Sequence, residues 1–313
     1  MKKINKLLLM ILFGVSFFFT VLSIILFLLF IFNKQFFSTS GILDIELAVS
    51  FGSFFQGLVG TTAGISSSLL VICVFFLQQK QEKISQLENI FYKMLDYHRD
   101  NINSIIIDNY KLWMDDKKEK AQAFVSFKLQ IFDCIDMIKE LNTQLDRKLS
   151  KMEIADVAYM IFYYGIDKQW FDFTEKLLKN YDEKLPKLIY SFVERQKTKT
   201  FTNDQPKDIG KTNQTILSTY FRNMYNAIIL IHKSNILNDE QKRQYIRIYR
   251  TQLSNPELVV LFFNVLSRFG KKWNENKIIT EYEFIKNLPT NSCNGYNPKE
   301  YYQMEYEEDE IGV

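Results

Sequence analysis

Histidine occurs only twice and cysteine three times in the 313 residues. Each scarcity removes a class of chemistry. His98 falls on an apolar helical stripe, where a lone imidazole is more often packed than ligating, and His232 lies at the end of a different helix; a multi-histidine metal site is therefore not expected. Cys73, Cys134 and Cys293 are too far apart in sequence for a disulfide framework or a zinc knuckle and suit a reducing compartment. No stretch sustains the period-two alternation of a half-buried strand, so the expected fold class is all-α. Net charge is also lacking. Residues 1–80 hold five of the 39 Lys and Arg and two of the 36 Asp and Glu, leaving 34 of each sign beyond. Such a balance gives no bulk attraction for nucleic acid, and none is expected as a partner.

Two long apolar runs stand out instead. Residues 7–32 contain no charged side chain and as a helix would measure ~39 Å, more than the ~30 Å hydrocarbon core of a bilayer. A cleavable signal would carry a shorter apolar core ending in small residues, whereas this run ends Phe30, Ile31, Phe32. A second run covers residues 47–77. Lys2, Lys3 and Lys6 precede the first, and Lys80 and Lys83 follow the second. The positive-inside rule then places both ends in the cytoplasm, with an N-terminal transmembrane hairpin over residues 1–79. In the second run Ser53, Gly57, Gly60, Gly64 and Ser68 place small side chains three and four apart, a pattern that lets helices approach closely in lipid. Gly57, Gly60 and Gly64 are the expected packing positions, against the first helix or against another copy. Gln56 is the one strongly polar side chain among them.

Beyond the hairpin, the periodicity predicts an amphipathic stalk helix over residues 80–110, a helical body over 111–194, a polar loop over 195–213, a C-terminal helical core over 214–290 and an acidic, solvated tail over 291–313. Gly210-Lys211-Thr212 looks like the end of a phosphate loop, but Gln205 stands where its first glycine belongs, and nucleotide binding is rejected. Ser254-Asn255-Pro256-Glu257 reads as a capping box with proline in the first helical turn. Arg222, Tyr225, Arg250, Glu257 and Asn264 lie in or beside apolar faces and form the candidate polar cluster, as a site or as a buried clamp. No catalytic set, cofactor motif or metal motif is legible.

Four segments, 51–57 (FGSFFQG), 159–165 (YMIFYYG), 220–225 (YFRNMY) and 250–258 (RTQLSNPEL), together resemble the AbiC-like phage abortive infection family. Gln56 departs from the expected second glycine. The resemblance implies bacterial antiphage defence and supplies no catalytic mechanism. It makes a membrane-anchored, non-enzymatic effector the leading expectation, acting on the lipid bilayer as an assembly of copies and answering to a phage component or a neighbouring defence protein. The alternatives are a membrane-tethered helical RNase-type toxin and a regulatory inner-membrane protein unconnected with phage. The first of these expects an Arg four to six residues before a His, which neither histidine has.

Overall fold

The computed structural model describes residues 2–32, 45–107, 118–119, 123–166, 168–198 and 210–311. They form an all-α protein whose one extended pairing is a two-residue antiparallel ladder, Ile106 opposite Glu119 and Ile107 opposite Lys118. The chain divides into two compact units, residues 1–88 and 89–313.

The first unit contains α1 (Lys2–Phe32), α2 (Ile45–Phe54), a π-helical segment (Phe55–Gly60) and the first part of α3 (Thr61–Asn103). Both α1 and the continuous helix through α3 are long and apolar enough to cross a membrane. The side chains covered within this unit follow alternating steps of four and three: Leu12, Ser16, Phe19, Ser23 and Leu26 on α1, and Phe55, Val59, Thr62, Ser66, Leu69 and Cys73 on the partner helix. That is the spacing of a left-handed helix pair with interlocking side chains. Hydroxyls occupy its middle. Ser66 Oγ donates to the Ser16 carbonyl at 2.9 Å and lies 2.6 Å from Thr20 Oγ1, and Ser23 Oγ lies 2.6 Å from Thr62 Oγ1. The pairs step in opposite directions along the chain, so the two helices run antiparallel.

The second unit begins within α3 and continues with α4 (Ala123–Asn142), α5 (Lys151–Tyr164), α6 (Lys168–Lys179), α7 (Leu185–Thr198), α8 (Gln214–His232), α9 (Asp239–Arg250), α10 (Asn255–Leu266), the short α11 (Lys271–Glu275) and α12 (Ile278–Glu281), and α13 (Glu307–Ile311). Its centre is α10, buried from Glu257 to Leu266. A helix apolar on every side must be enclosed, and this one packs on α4 and α5. Phe124, Phe127, Ile131, Ile135 and Ile138 are the matching buried face of α4.

Local sequence sets the ends of these helices. A full capping box at Ser150 and Glu153 starts α5, and another at Asn238 and Gln241 starts α9. Gly165 ends α5 at φ 73°, with its Cα so close to the following loop that a Cβ would sit 2.5 Å from the Gly210 carbonyl. Residues 210–213 are pinned there: Gly210 accepts from the Ile166 N–H at 2.8 Å, and Asn213 Nδ2 donates to the Phe162 carbonyl and to Gln130 Oε1, each at 2.9 Å. The expected polar loop is therefore shorter than 195–213. Helix α7 runs to Thr198, residues 210–213 are packed, and 199–209 lie outside the described residues.

The acidic tail also departs from expectation. Tyr296, Tyr302 and Tyr306 are buried, with Tyr296 edge-on to Phe263 at 5.4 Å. The tail carboxylates find partners on the body: Glu308 accepts from the Thr290 hydroxyl at 2.6 Å, Glu307 from Asn287 Nδ2 at 2.8 Å, and Glu310 pairs with Lys286 at 2.5 Å. Aromatic burial at three positions outweighs the charge that suggested a solvated end.

Candidate functional site

In the second unit α3 buries Phe91, His98 and Ile105, each seven residues from the next, while Tyr92, Asp96, Tyr97 and Arg99 are exposed. Seven residues make almost two full turns, so the three fall on one narrow stripe. At its middle the His98 ring lies between two tyrosines, with centroids 4.9 Å from Tyr220 of α8 and 5.0 Å from Tyr249 of α9. Phe91 meets Tyr245 edge-on at 5.5 Å.

The fourth wall is Glu257, in the first turn of α10. Its Oε2 accepts from the Ser254 N–H at 2.9 Å and from the Ser254 hydroxyl at 2.6 Å. Its Oε1 accepts from Tyr220 Oη at 2.9 Å. One carboxylate oxygen thus holds the helix start and the other faces the tyrosine and histidine. His98 Nε2 is 3.9 Å from Oε1, too long for a hydrogen bond. Neither ring nitrogen of His98, nor Tyr249 Oη, has a hydrogen-bond partner among the described residues. Each such buried group costs ~1–3 kcal/mol.

Burial governs the protonation of all four groups. It depresses the His98 imidazole to about 4, well beyond the apolar run that ends at Leu77, and it pushes the Glu257 carboxyl above the usual carboxylate range against the opposing hydrogen bonds from Ser254 and Tyr220. It raises the Tyr220 and Tyr249 phenols, with the Glu257 charge adding to both. A neutral imidazole beside a carboxyl is a proton-accepting pair in principle. His98 is 1% exposed and Glu257 2%, so in this conformation the pair is closed to solvent-borne substrate. Among the described residues, no three His, Cys, Asp or Glu side chains are grouped so as to hold a metal ion.

Of the five residues expected from sequence to cluster, only Glu257 belongs here. Arg222 is exposed on α8. Tyr225 packs edge-on to Trp273 at 5.2 Å and accepts from Asn276 Nδ2 at 3.2 Å. Arg250 Nη1 donates to the Glu283 carbonyl at 2.9 Å, and Asn264 Nδ2 donates to Tyr159 Oη at 2.9 Å. The clamp alternative, in which Arg222, Arg250 and Asn264 bond one another, is not formed: Arg250 and Asn264 use different neighbours, and Arg222 is turned to the surface. The residues missed are Tyr249 and the pairing of His98 with Glu257. The seven-residue spacing of Phe91, His98 and Ile105 was the available signal.

In the first unit, Gly57 and Gly64 are exposed, and a Cβ at either would meet no atom within 4 Å; at Gly60 the nearest is the Phe55 carbonyl, at 3.9 Å. The contact between the two apolar helices is made by apolar side chains such as Phe19, Val59 and Leu69 with serine and threonine at its middle, and a Cβ at Gly57 or Gly64 would point away from it.

Residues 212–293 match the family described as "Putative phage abortive infection protein". The matched segment contains Tyr220, Tyr249, Ser254 and Glu257 and stops short of His98 and of both apolar helices. No curated protein matches the chain, and no solved structure matches it.

Proposed function

We propose that this chain is a bacterial antiphage effector of the abortive-infection type, anchored in the inner membrane by a two-helix hairpin with both termini in the cytoplasm. The helical body responds to a phage component or to a neighbouring defence protein, and the hairpin, assembled in several copies, perturbs the bilayer. The action is mechanical rather than enzymatic. The observation that carries the reading is that one chain joins a segment matching the abortive-infection family to helices whose large apolar side chains point outward. Phe17 is 64% exposed, Phe18 62% and Val71 67%. Surfaces of that kind are stable in lipid and a liability in water. The basic residues Lys2, Lys3, Lys6, Lys80 and Lys83 at the two cytoplasmic ends support the orientation.

Assembly in copies is supported by the division of labour along the second apolar helix. Its serine and threonine seam is already occupied by α1, which leaves the surface carrying Gly57, Gly60 and Gly64 open to a neighbouring backbone. The test is membrane potential, followed with a voltage-sensitive dye in phage-infected bacteria with and without the gene. Depolarisation that requires the gene and precedes lysis is expected. Protection with the potential maintained would overturn the membrane mechanism.

A further inference from the structure

Six buried side-chain atoms of the second unit have no hydrogen-bond partner among the described residues, and three of them, His98 Nδ1 and Nε2 and Tyr249 Oη, lie together where α3 packs on α9. What holds this part of α3 is a single stripe of aromatic and apolar contact, supplemented by Asn223 Nδ2 donating to the Met94 carbonyl at 2.9 Å. We propose that residues 89–105 form a releasable plug, which leaves and re-enters a socket made by Tyr220, Tyr245 and Tyr249, and that the buried polar atoms of His98 and Tyr249 set how readily it leaves. Docked, these atoms give up hydrogen bonds that water supplies on release. An all-apolar stripe of the same shape would lose nothing by staying docked. Glu257 stays behind with the body, since Ser254 and Tyr220 satisfy both its oxygens. The plug is thus a segment whose opening is eased by the solvation it gains, the property expected of an element that must move for a signal to pass.

The role of the motion in defence rests on the membrane-effector reading; the motion itself does not. Both are tested by amide hydrogen exchange on the full chain in detergent, comparing the parent with His98→Leu and with Tyr249→Phe, the latter deleting one hydroxyl and no ring. In the parent, residues 89–105 should exchange faster than α8 and α10, and each variant should slow that exchange about tenfold, with unchanged helical circular dichroism. Plaque assays should show the slowed variants to be less protective. The inference falls if residues 89–105 exchange in step with α10, or if neither variant slows them. It falls as a regulatory device if exchange slows and protection is intact. Slowed exchange and lost protection in a protein that causes no depolarisation would uphold the plug and remove the membrane mechanism alone.

Discussion

Tyr220 Oη donates to Glu257 Oε1 across 37 residues of chain, at 2.9 Å and out of contact with solvent. The bond ties α8 to the first turn of α10, the helix around which the second unit is built. It also gives a buried carboxyl the donor that water would otherwise provide.

Replacing Tyr220 by Phe keeps the ring against His98 and leaves Oε1 without that donor. A loss of about 1–3 kcal/mol in unfolding free energy is expected, read from denaturant midpoints of the purified full chain. Adding Glu257→Gln to this variant should restore part of the loss, because an amide is cheaper to bury than a carboxylate.

Acid should weaken the fold through His98. Its ordinary value of 6.5 falls to about 4 in the folded state, so between these values the unfolded chain binds the proton and the folded chain does not. Stability therefore declines as pH drops from 6.5 toward 4, by roughly 3 kcal/mol from this group. Glu257, whose folded value is raised, acts in the opposite direction just above its usual range and offsets part of the loss. Denaturant midpoints at pH 7 and pH 5 should differ in the parent and differ less in His98→Leu.

Two substitutions in the apolar helices should separate their two surfaces. Ser66→Leu removes the hydroxyl shared with Ser16 and Thr20 and forces bulk into the seam, so pairing with α1 should be lost. A Cβ at Gly60 or Gly64 meets no atom of α1, so Gly60→Leu combined with Gly64→Leu should leave that pairing intact while abolishing self-association and defence. Crosslinking in membranes, alongside plaque counts, distinguishes them. Full protection by the glycine variant would count against assembly through that surface.

Gly270 follows α10 in a tight turn where a Cβ would lie 2.1 Å from the Val265 carbonyl oxygen. Backbone on backbone cannot yield as a side chain can. Gly270→Ala should cost about 1–3 kcal/mol or more and lower the thermal midpoint by several degrees.

Deleting residues 296–313 should do more than shed charge. It removes three buried tyrosines and uncovers Phe262 and Phe263, against which Tyr301 and Tyr296 pack. Aggregation or loss of soluble helical signal is expected, whereas neutralising Glu305 and Glu307 in the full chain should leave the fold intact.

Local chemistry was readable in the sequence where it is written in neighbouring residues. The charge-free run to Phe32 and the start of α10 at Ser254 each depend on a few adjacent side chains, and each appears close to where the pattern put it. The His98 cluster depends on four helices meeting, and no local signal says that Tyr220, Tyr249 and Glu257 turn toward one point. Arg222 misled because it stands among apolar neighbours on α8, yet the helix turns it outward. The tail misled because five carboxylates in a short span, Glu305 and residues 307–310, drew attention from Tyr306 among them and from Tyr296 and Tyr302 before them.

The π-helical segment from Phe55 to Gly60 changes the phase of the helix it interrupts. Six residues wound with i to i+5 bonding advance less per residue than an α-helix, so Ser53 and Gln56 point elsewhere than a straight count back from Gly64 would put them. Deleting one residue there would bring the segment back toward α geometry, and five residues wound as α turn about as far around the axis as six wound as π, so the helix before it keeps its direction. A one-residue deletion in this stretch should consequently be better tolerated than one in the α-helical turns on either side of it.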